Sequence, residues 1–420
     1  MASSATQSDV TDLPIGEAAH EVIDIERSAP LDGEFDITLG EAFGPELGGH
    51  FGRQEATGAV RLYRLREVTL DASLMLLLRG RSRITETRFF VTDQEYYDTL
   101  VKPLPAMRLD AKEHYIIGCN RAWHDYYHWL VQSLPAIDLS LRYSGHNSST
   151  LVLSSLRPWQ EESLALLGYQ DIPRLTLDVS NTFLLPSAEF SDFLGSRMPG
   201  MVARTAMATF RRLSRAVPWT RAAPEAIYVA TAGTQHHRLE NEAELIELLD
   251  GQGVQIVKPE DLSMAEQIAA FRAARLVIGA HGVGMSNIVF SQQGSFVYEL
   301  LPRHYLSTTV NRLAQTAALN YWADIFGGAD DNQERTWRVD LDSVAARLAA
   351  IRERIAVTPR RESALDFLRR TQAAHPDDSA AAPARTPVAR AAPAATELPV
   401  SEATAPRRRG LARLFSRRGS

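Results

Sequence analysis

Apolar runs of four or five residues alternate with segments of helical period through the second half of the chain. The predicted strands are 226–230, 254–257, 276–280, 296–300 and 321–325, and the predicted helices are 240–249, 264–274, 306–318 and 343–355. Ser263 stands three residues before Glu266, which is the spacing of a capping box at the start of the second of these helices. Strands that alternate with helices in this way predict a parallel, doubly wound sheet.

The first half of the chain combines two patterns. Residues 60–70, 74–78 and 84–91 form short alternating or apolar runs, which predict an antiparallel β unit. Farther on, strand-like runs at 115–118, 151–153 and 183–185 alternate with helical segments at 125–134, 158–167 and 201–217. We therefore expect an α/β fold in which two Rossmann-like domains face a cleft, with a small N-terminal β unit beside them.

Changes of composition along the chain predict the domain boundaries. Pro218 and Pro224 bracket a short linker, and beyond residue 370 the chain is dominated by Ala, Pro and Thr. The predicted parts are a mobile acidic N-terminus (1–55), a β-rich unit packed on the first domain (56–108), two Rossmann-like domains (109–218 and 219–371) and a disordered linker with a basic tail (372–420).

The overall composition narrows the class of protein. The chain has 420 residues, 45% of them hydrophobic, and a net charge of −6, which argues against a general nucleic-acid binder. Cys119 is the one cysteine, which fits a reducing compartment. The sequence has no secretory signal and no apolar stretch of 18 residues, so we expect a cytoplasmic protein. Its many arginines and alanines suggest a bacterial genome rich in G and C.

The basic tail has two interpretations. Arginines between Arg407 and Arg418 flank Leu411, Leu414 and Phe415. This segment could bind weakly at the anionic inner face of a membrane, or it could simply solubilise the chain.

The segment 275–290 carries the main candidate for chemistry. The apolar run 276–280 is followed by a polar, glycine-bearing turn and then by residues that can start a helix. A strand, a glycine turn and a helix N-terminus place backbone N–H groups where anions such as phosphates bind. The candidate residues of this segment are His281, Gly282, Val283, Gly284, Ser286 and Asn287.

Two further loops should reach the same sheet edge. One carries His236, His237 and Arg238, and the other carries Glu299. Arg238 could bind a diphosphate, and Glu299 could hold ribose hydroxyls. Because the sequence lacks the GxGxxG, GxxxxGK[ST] and DxD motifs, this set points to a nucleotide-sugar that binds without a metal or other cofactor.

A polar and aromatic helix in the first half is the second candidate. Asp125 is a plausible N-cap, and His124 and His128 are four residues apart, as on one helix face. His128 could be an ordinary buried histidine, one of a metal-binding pair, or part of a catalytic cluster that takes a proton from a hydroxyl. A metal pair is the weakest interpretation because the sequence offers no third ligand. Asp125 and His128 both remain candidates for the base.

Several ordered blocks together resemble glycosyltransferase family 61, whose bacterial members are often labelled capsular polysaccharide biosynthesis proteins. The blocks are Asp125-Tyr-Tyr-His128-Trp129-Leu with Leu134-Pro135, Arg238-x-x-Asn241-Glu242-x-Glu244-Leu245, Gln267-Ile-Ala-Ala-Phe271-x-x-Ala274, Gly279-Ala-His281-Gly282-Val283-Gly284-Met-Ser-Asn287-x-x-Phe290 and Tyr298-Glu299-Leu300. The resemblance covers about residues 110 to 330, and the order and spacing of the blocks carry it.

The resemblance implies a two-Rossmann (GT-B) fold, with an acceptor domain at 109–218 and a donor domain at 219–371. It also implies an inverting, metal-independent transfer of sugar from a nucleotide donor, here a uridine diphosphate sugar, to a glycan or other hydroxyl acceptor in surface polysaccharide biosynthesis. The donor residues would be Arg238, the turn from Gly282 to Asn287, and Glu299, with His281 assisting; Asp125 or His128 would be the base.

The chain departs from the family pattern at five positions: Asp125 stands in place of Asn, Ala136 in place of Arg, Ala230-Thr231 in place of Ser-Arg, and Val283 in place of Ala. The loss of two arginines leaves open a non-catalytic scaffold that binds nucleotide-sugar or glycan. A hydrolase that uses Ser286 is disfavoured because the GxSxG elbow is missing.

Overall fold

The computed structural model describes residues 11–31, 33–144, 149–195, 203–219, 224–231, 238–327 and 336–358. The contacts of the chain divide it into one unit at Met1–Ser363 and another at Ala364–Ser420. The second unit lies outside the described residues, and so do the predicted tail with Arg407–Arg418 and the pair His236 and His237.

The described residues form sixteen strands. In chain order they are β1 (Thr11–Leu13), β2 (Glu21–Glu26), β3 (Ile37–Leu39), β4 (Val60–Asp71), β5 (Leu76–Arg79), β6 (Ser82–Ile84), β7 (Ala106–Arg108), β8 (His114–Ile117), β9 (Ser149–Leu153), β10 (Arg174–Thr176), β11 (Thr182–Ser191), β12 (Ala226–Val229), β13 (Gln255–Val257), β14 (Leu276–Ala280), β15 (Phe296–Pro302) and β16 (Asn320–Phe326).

The helices of the described residues lie between these strands. They are α1 (Ile15–Ala18), α2 (Gly44–Phe51), α3 (Asp93–Val101), α4 (Tyr126–His128), α5 (Leu134–Tyr143), α6 (Pro158–Leu166), α7 (Arg204–Ala216), α8 (Glu242–Asp250), α9 (Met264–Ala273), α10 (Thr309–Thr316) and α11 (Leu341–Val357). A π-helical turn at Trp129–Ser133 joins α4 to α5, and the longest 3₁₀ helix is Val283–Phe290. Among these helices none is both long and apolar enough to cross a bilayer.

The second sheet has the predicted parallel strands. Its order is β13-β12-β14-β15-β16-β3, with every neighbouring pair parallel. The strand that comes first along this half, β12, therefore lies between the second and the third, and the chain reverses its direction of winding between β12 and β14. Ligands of open α/β sheets bind at the carboxyl ends of the strands beside such a switch point.

The sixth strand of that sheet differs from the prediction of a mobile N-terminus. β3 pairs with β16, and β2 pairs with β4 of the other sheet. Residues 11–31 and 33–55 thus contribute strands and helices instead of lacking regular structure. For β1 and β3 the difference has a physical reason: strands of three residues are too short to show a period in the sequence, so only their partners reveal them.

The first sheet is mixed. The antiparallel hairpins β4–β5 and β5–β6 confirm the predicted antiparallel unit. They are continuous with β8, β9 and β10, however, because β11 pairs antiparallel with β4 and parallel with β8. The segment expected to pack on the edge of the first domain is therefore part of the same ten-stranded sheet.

Contacts fix the two sheets to each other. Both carboxylate oxygens of Glu162, on α6, accept N–H groups of the first turn of α9, from Met264 at 2.9 Å and Ala265 at 3.0 Å. The rings of Phe210 and Phe290 pack edge to face, with centroids 6.1 Å apart. One contiguous core contains buried residues of both sheets, and a smaller one lies between the second sheet and helices α8 and α11.

Candidate active site

The site begins where the chain enters α4. Asp125 Oδ1 accepts the backbone N–H of His128 at 3.2 Å, which confirms Asp125 as an N-cap. His124 lies before the cap and is exposed, so the predicted pairing of His124 and His128 on one helix face is wrong. After His128 the backbone widens into the π-helical turn, whose five residues are all buried. Such turns are rare and are frequent at functional sites.

A chain of hydrogen bonds fixes the orientation of the His128 ring. The amide of Asn120 is oriented by the backbone, because its Oδ1 accepts from Ala122 N at 3.0 Å and its Nδ2 lies 3.4 Å from the carbonyl oxygen of Leu194. Nδ2 also donates to Gln132 Oε1 at 2.8 Å. His128 Nδ1 lies 2.9 Å from the same Oε1.

This chain determines which ring nitrogen carries the proton. Since Gln132 presents an oxygen that can only accept, Nδ1 of His128 must be the donor. In the neutral ring Nε2 then holds a lone pair and can accept a proton. The arrangement makes His128 a competent base, whereas one oxygen of Asp125 is engaged in capping.

Aromatic rings surround His128, which is itself partly exposed. The ring centroids of Tyr127, Phe89 and Phe90 lie 5.2, 5.3 and 5.9 Å from that of His128, all edge to face. Burial raises the pKa of Tyr127 to about 12, and the charge of Arg312 opposes the shift. Arg312 belongs to α10 of the second half, so α10 approaches this cluster.

Tyr126 connects α4 to the second half of the chain. Its hydroxyl lies 2.5 Å from Asn287 Oδ1 and 3.0 Å from Gln267 Oε1. Asn287 Nδ2 in turn donates to Gln267 Oε1 at 2.8 Å. Burial raises the pKa of Tyr126, so the hydroxyl keeps its proton and acts as a donor.

This contact corrects part of the predicted diphosphate site. Asn287 is fully buried, and both ends of its amide are bonded to protein groups, so its side chain joins the two halves instead of meeting a ligand. Ser286 is only 3% exposed, which also removes it from the exposed surface of the turn. The same burial argues against Ser286 as the nucleophile of a hydrolase.

The exposed part of the segment is the turn at 282–284. Gly282 is exposed, Val283 is 52% exposed, and a Cβ built on Gly282 would meet only the carbonyl oxygen of Ala280, at 3.8 Å. Gly284 has a packing reason to be glycine, because a Cβ there would lie 3.0 Å from Val229 Cγ1 and 3.3 Å from Pro259 Cγ. The turn thus lies over the ends of β12 and β13. It starts a 3₁₀ helix, whose first N–H groups have no partner within the helix.

His281 stands at the end of β14 and is backed by a buried carboxylate. Its Nδ1 lies 2.5 Å from Glu299 Oε1, and the side chain of Glu299 is fully buried. The hydroxyl of Tyr321 donates to the other oxygen, Oε2. Burial, reinforced by the charge of Glu299, raises the pKa of Tyr321, so this hydroxyl keeps its proton.

The placement of Glu299 differs from the expected contact with ribose. Both of its oxygens accept hydrogen bonds from protein side chains, and no surface of the carboxylate is exposed. The parallel register explains this, since Glu299 lies opposite Ala323 and close to Tyr321, two residues earlier on the same face of the sheet. Glu299 therefore contacts His281 and does not reach the surface of the site.

The two positions that lack a family arginine have definite environments. Thr231 donates to Glu242 through its backbone N–H at 2.8 Å and through its hydroxyl at 2.5 Å. Ala136 is fully buried in α5, so the alanine at this position does not change the charge of the exposed surface. Arg238 precedes α8 and is exposed, and its carbonyl oxygen accepts the N–H of Trp337.

A broad cavity of 850 Å³ lies elsewhere, at the carboxyl end of β16 and the first turns of α11. Asp324 and Arg347 on its wall pair with each other at 2.7 Å. It contains none of the predicted site residues, and residues 328–335, which follow its lining residue Gly327, lie outside the described part of the chain. Within that described part, no three His, Cys, Asp or Glu side chains group as metal ligands do.

The residues that sequence reasoning missed are Asn120, Gln132, Tyr126, Tyr321 and Phe90. Helical spacing alone could have predicted the contact of Gln132 with His128, because the two residues are four apart. Tyr126 lies in the same block as His128, but its partners Asn287 and Gln267 are distant in sequence. Asn120, Tyr321 and Phe90 are brought in by strand pairing or by loops outside that block.

Fold and site together define an α/β protein with an exposed glycine turn at the switch point of a parallel sheet. A short helix that carries His128 contacts the 3₁₀ helix following that turn. Residues 126–298 match the model of the family Glycosyltransferase 61. The match supports membership of this segment in glycosyltransferase family 61 and a transferase activity with a sugar donor and an acceptor as substrates. A search of curated proteins found no match.

Proposed function

We propose that the protein transfers a sugar from a uridine diphosphate donor to a hydroxyl of a glycan, with inversion and without a chelated metal, in the synthesis of a surface polysaccharide. The proposal includes the GT-B arrangement, with the acceptor on the side of α4 and the donor on the side of β14. It is supported by the contact of Tyr126 with Asn287, which brings the start of α4 beside the helix that follows the exposed turn.

On the donor side, the diphosphate binds the exposed turn. The phosphate oxygens accept hydrogen bonds from the N–H groups of Val283 and Gly284 and from the guanidinium of Arg238. In its imidazolium form, held at Nδ1 by the Glu299 carboxylate, His281 donates a hydrogen bond through Nε2 as negative charge develops on the departing diphosphate. Preorganised donors of this kind contribute most at the step where charge appears.

On the acceptor side, His128 Nε2 accepts the proton of the attacking hydroxyl. The acceptor oxygen forms a bond to the anomeric carbon, while the bond from that carbon to the diphosphate oxygen breaks and the diphosphate leaves with the electron pair. Attack from the side opposite the leaving group inverts the anomeric centre. The observation that carries this proposal is the chain Asn120–Gln132–His128, because it leaves Nε2 as the proton acceptor.

Two substitutions separate the two candidate bases. Asp125→Asn keeps an N-cap but removes a carboxylate base, whereas His128→Gln keeps the cap and removes the imidazole. We expect Asp125→Asn to retain transfer within about tenfold and His128→Gln to lose about 10²–10⁴-fold in kcat. The reverse order of effects would make Asp125 the base.

The assay for both variants is release of UDP from UDP-sugars in the presence of oligosaccharide acceptors, with and without EDTA. Activity that survives EDTA supports the metal-free reaction, and activity that requires a divalent ion contradicts it. Thermal stabilisation by UDP without any turnover of the wild-type protein would favour the non-catalytic scaffold.

A further inference from the structure

Phe90 lies beside the candidate base in an unusual conformation. It is the most exposed aromatic side chain of the described residues, at 71%, and its φ angle is +53°. Bulky residues rarely adopt this left-handed region, and strained residues of this kind persist where the surrounding structure holds them, often at functional sites.

Arginine side chains hold the backbone around Phe90 in place. Arg121 Nη1 donates to the carbonyl oxygen of Phe90 at 2.8 Å, and Arg88 Nε donates to that of Val91 at 2.7 Å. Arg121 is itself fixed by Glu95, whose oxygens lie 2.7 and 3.1 Å from its nitrogens. The hydrogen bond from Arg121 lowers the pKa of Glu95 to about 2, so the pair stays charged at neutral pH.

These bonds keep the Phe90 ring on the protein surface next to His128. The ring packs edge to face on Phe89, with centroids 4.4 Å apart, and lies 5.9 Å from the His128 ring. Nδ1 of His128 is bonded to Gln132, and the exposed Phe90 ring lies beside the same imidazole, which also carries Nε2. A lone exposed aromatic residue needs no explanation, but a strained one clamped beside a base does.

We propose that Phe90 is the platform on which the acceptor sugar stacks, with one hydroxyl directed to Nε2 of His128. The acceptor is therefore a pyranose with an apolar face of C–H groups, not a peptide hydroxyl or a simple polyol. The apolar C–H face packs on the electron-rich face of the ring, while the equatorial hydroxyls stay in water. This inference rests on the proposed function and adds the acceptor class to it.

Substitutions at position 90 test the platform. Phe90→Gly removes the ring and relieves the unfavourable φ angle, so loss of folding does not confound it. Phe90→Tyr keeps the ring. Tyr143→Ala, an exposed aromatic at the end of α5, is the matched control.

The kinetic experiment measures transfer from a UDP-sugar to a panel of neutral oligosaccharides and to glycerol, together with hydrolysis of the donor by water. We expect Phe90→Gly to raise the KM for the oligosaccharide about tenfold or more, while the KM for the donor and the hydrolysis rate stay within twofold. Phe90→Tyr and Tyr143→Ala should resemble the wild type.

Three results would overturn the inference while leaving the proposed function intact: an unchanged acceptor KM in Phe90→Gly, a rise confined to the donor KM, or equal use of glycerol and oligosaccharide by the wild type. Absence of both transfer and hydrolysis in the wild type would instead defeat the proposed function.

Binding can be followed without turnover. Tryptophan emission of Phe90→Trp should shift to shorter wavelength when a good oligosaccharide acceptor binds in the presence of UDP. The double variant with His128→Gln should show the same shift, because stacking does not require the base. No shift with any oligosaccharide that the enzyme uses would also overturn the platform.

Discussion

The two halves of the site each present a histidine whose Nδ1 is held by another side chain, but the partners differ in charge. His128 faces the neutral amide of Gln132, whereas His281 faces the fully buried carboxylate of Glu299. A neutral partner fixes the tautomer without adding charge, which suits a base. A buried anion stabilises a ring that carries or gains positive charge, and in a Ser-His-Asp triad such a ring is the base. In the proposed mechanism the charge of Glu299 instead supports the contact of His281 with the departing diphosphate, so one residue type takes two roles in different surroundings.

The largest expected effect comes from removing either ring. His128→Gln and His281→Gln should each lower kcat about 10²–10⁴-fold, through loss of the base and of the donor to the leaving group respectively. The control is His124→Gln, because His124 is exposed and lies before the helix. If His124→Gln lowered kcat as much as His128→Gln, the loss in His128→Gln could not be assigned to removal of the base.

Glu299→Gln tests the anionic partner by making the second region resemble the first. We expect kcat to fall about 10²-fold with little change in the donor KM, because the carboxylate acts on charge that develops during the reaction. Tyr321→Phe, which removes only the hydrogen bond to Glu299, should have a smaller effect of the same kind. A rise in donor KM at unchanged kcat would instead support a contact between Glu299 and the ribose of the donor.

Gln132→Glu performs the opposite exchange and gives the first region an anionic partner. The carboxylate can still accept from Asn120 and His128, so the ring orientation is preserved. We expect kcat to change by less than about tenfold, because the ring keeps its orientation and its Nε2 lone pair. A loss as large as that of His128→Gln would show that the neutral amide is required, and not only the orientation that it gives the ring.

Tyr126→Phe tests the connection between the two regions. The variant loses one buried hydrogen bond and leaves Asn287 without that donor, so the free energy of unfolding in urea should fall by about 1–3 kcal/mol. Tyr143→Phe, at an exposed position, is the control and should change stability little. A stability equal to that of the wild type would show that the bond contributes nothing.

The smallest expected effect is a change in the stability of the fold at low pH. The pKa of Glu95 is lowered to about 2 from the ordinary value of 4.5, mainly by Arg121. A group whose folded pKa is depressed stabilises the fold above its unfolded pKa, and the contribution disappears as the pH falls towards the folded value. The stability difference between wild type and Glu95→Gln should therefore be constant above about pH 5 and shrink between about pH 4.5 and pH 2. A difference that grows in acid would contradict this sign.

Local patterns allowed much of this structure to be predicted. The five parallel strands of the second half, the capping box of Ser263 and Glu266, and the N-cap at Asp125 all follow from residues close together in the chain. The sequence also predicts the turn at Gly282 and Val283 at the end of a buried strand, and the structure confirms this position.

The failures concern partners that are distant in sequence. The sequence predicts Glu299 and Asn287 as polar residues near a strand end, but nothing local shows whether such a side chain bonds a ligand or another residue. Here Tyr321 and Tyr126 supply the partners, 22 and 161 residues away. The π-helical turn also escaped prediction, because it has the same apolar composition as an ordinary helix.

The strand β3 has a consequence for how the molecule is made. It closes the edge of the second sheet beside β16, and the adjacent hydrogen bond from Asp36 to Asn320 spans 284 residues. During synthesis the early segment must therefore wait, unpaired, until most of the chain has left the ribosome, and such distant pairing slows folding. A truncation that removes the first 55 residues would uncover the backbone of β16 and create an edge prone to aggregation.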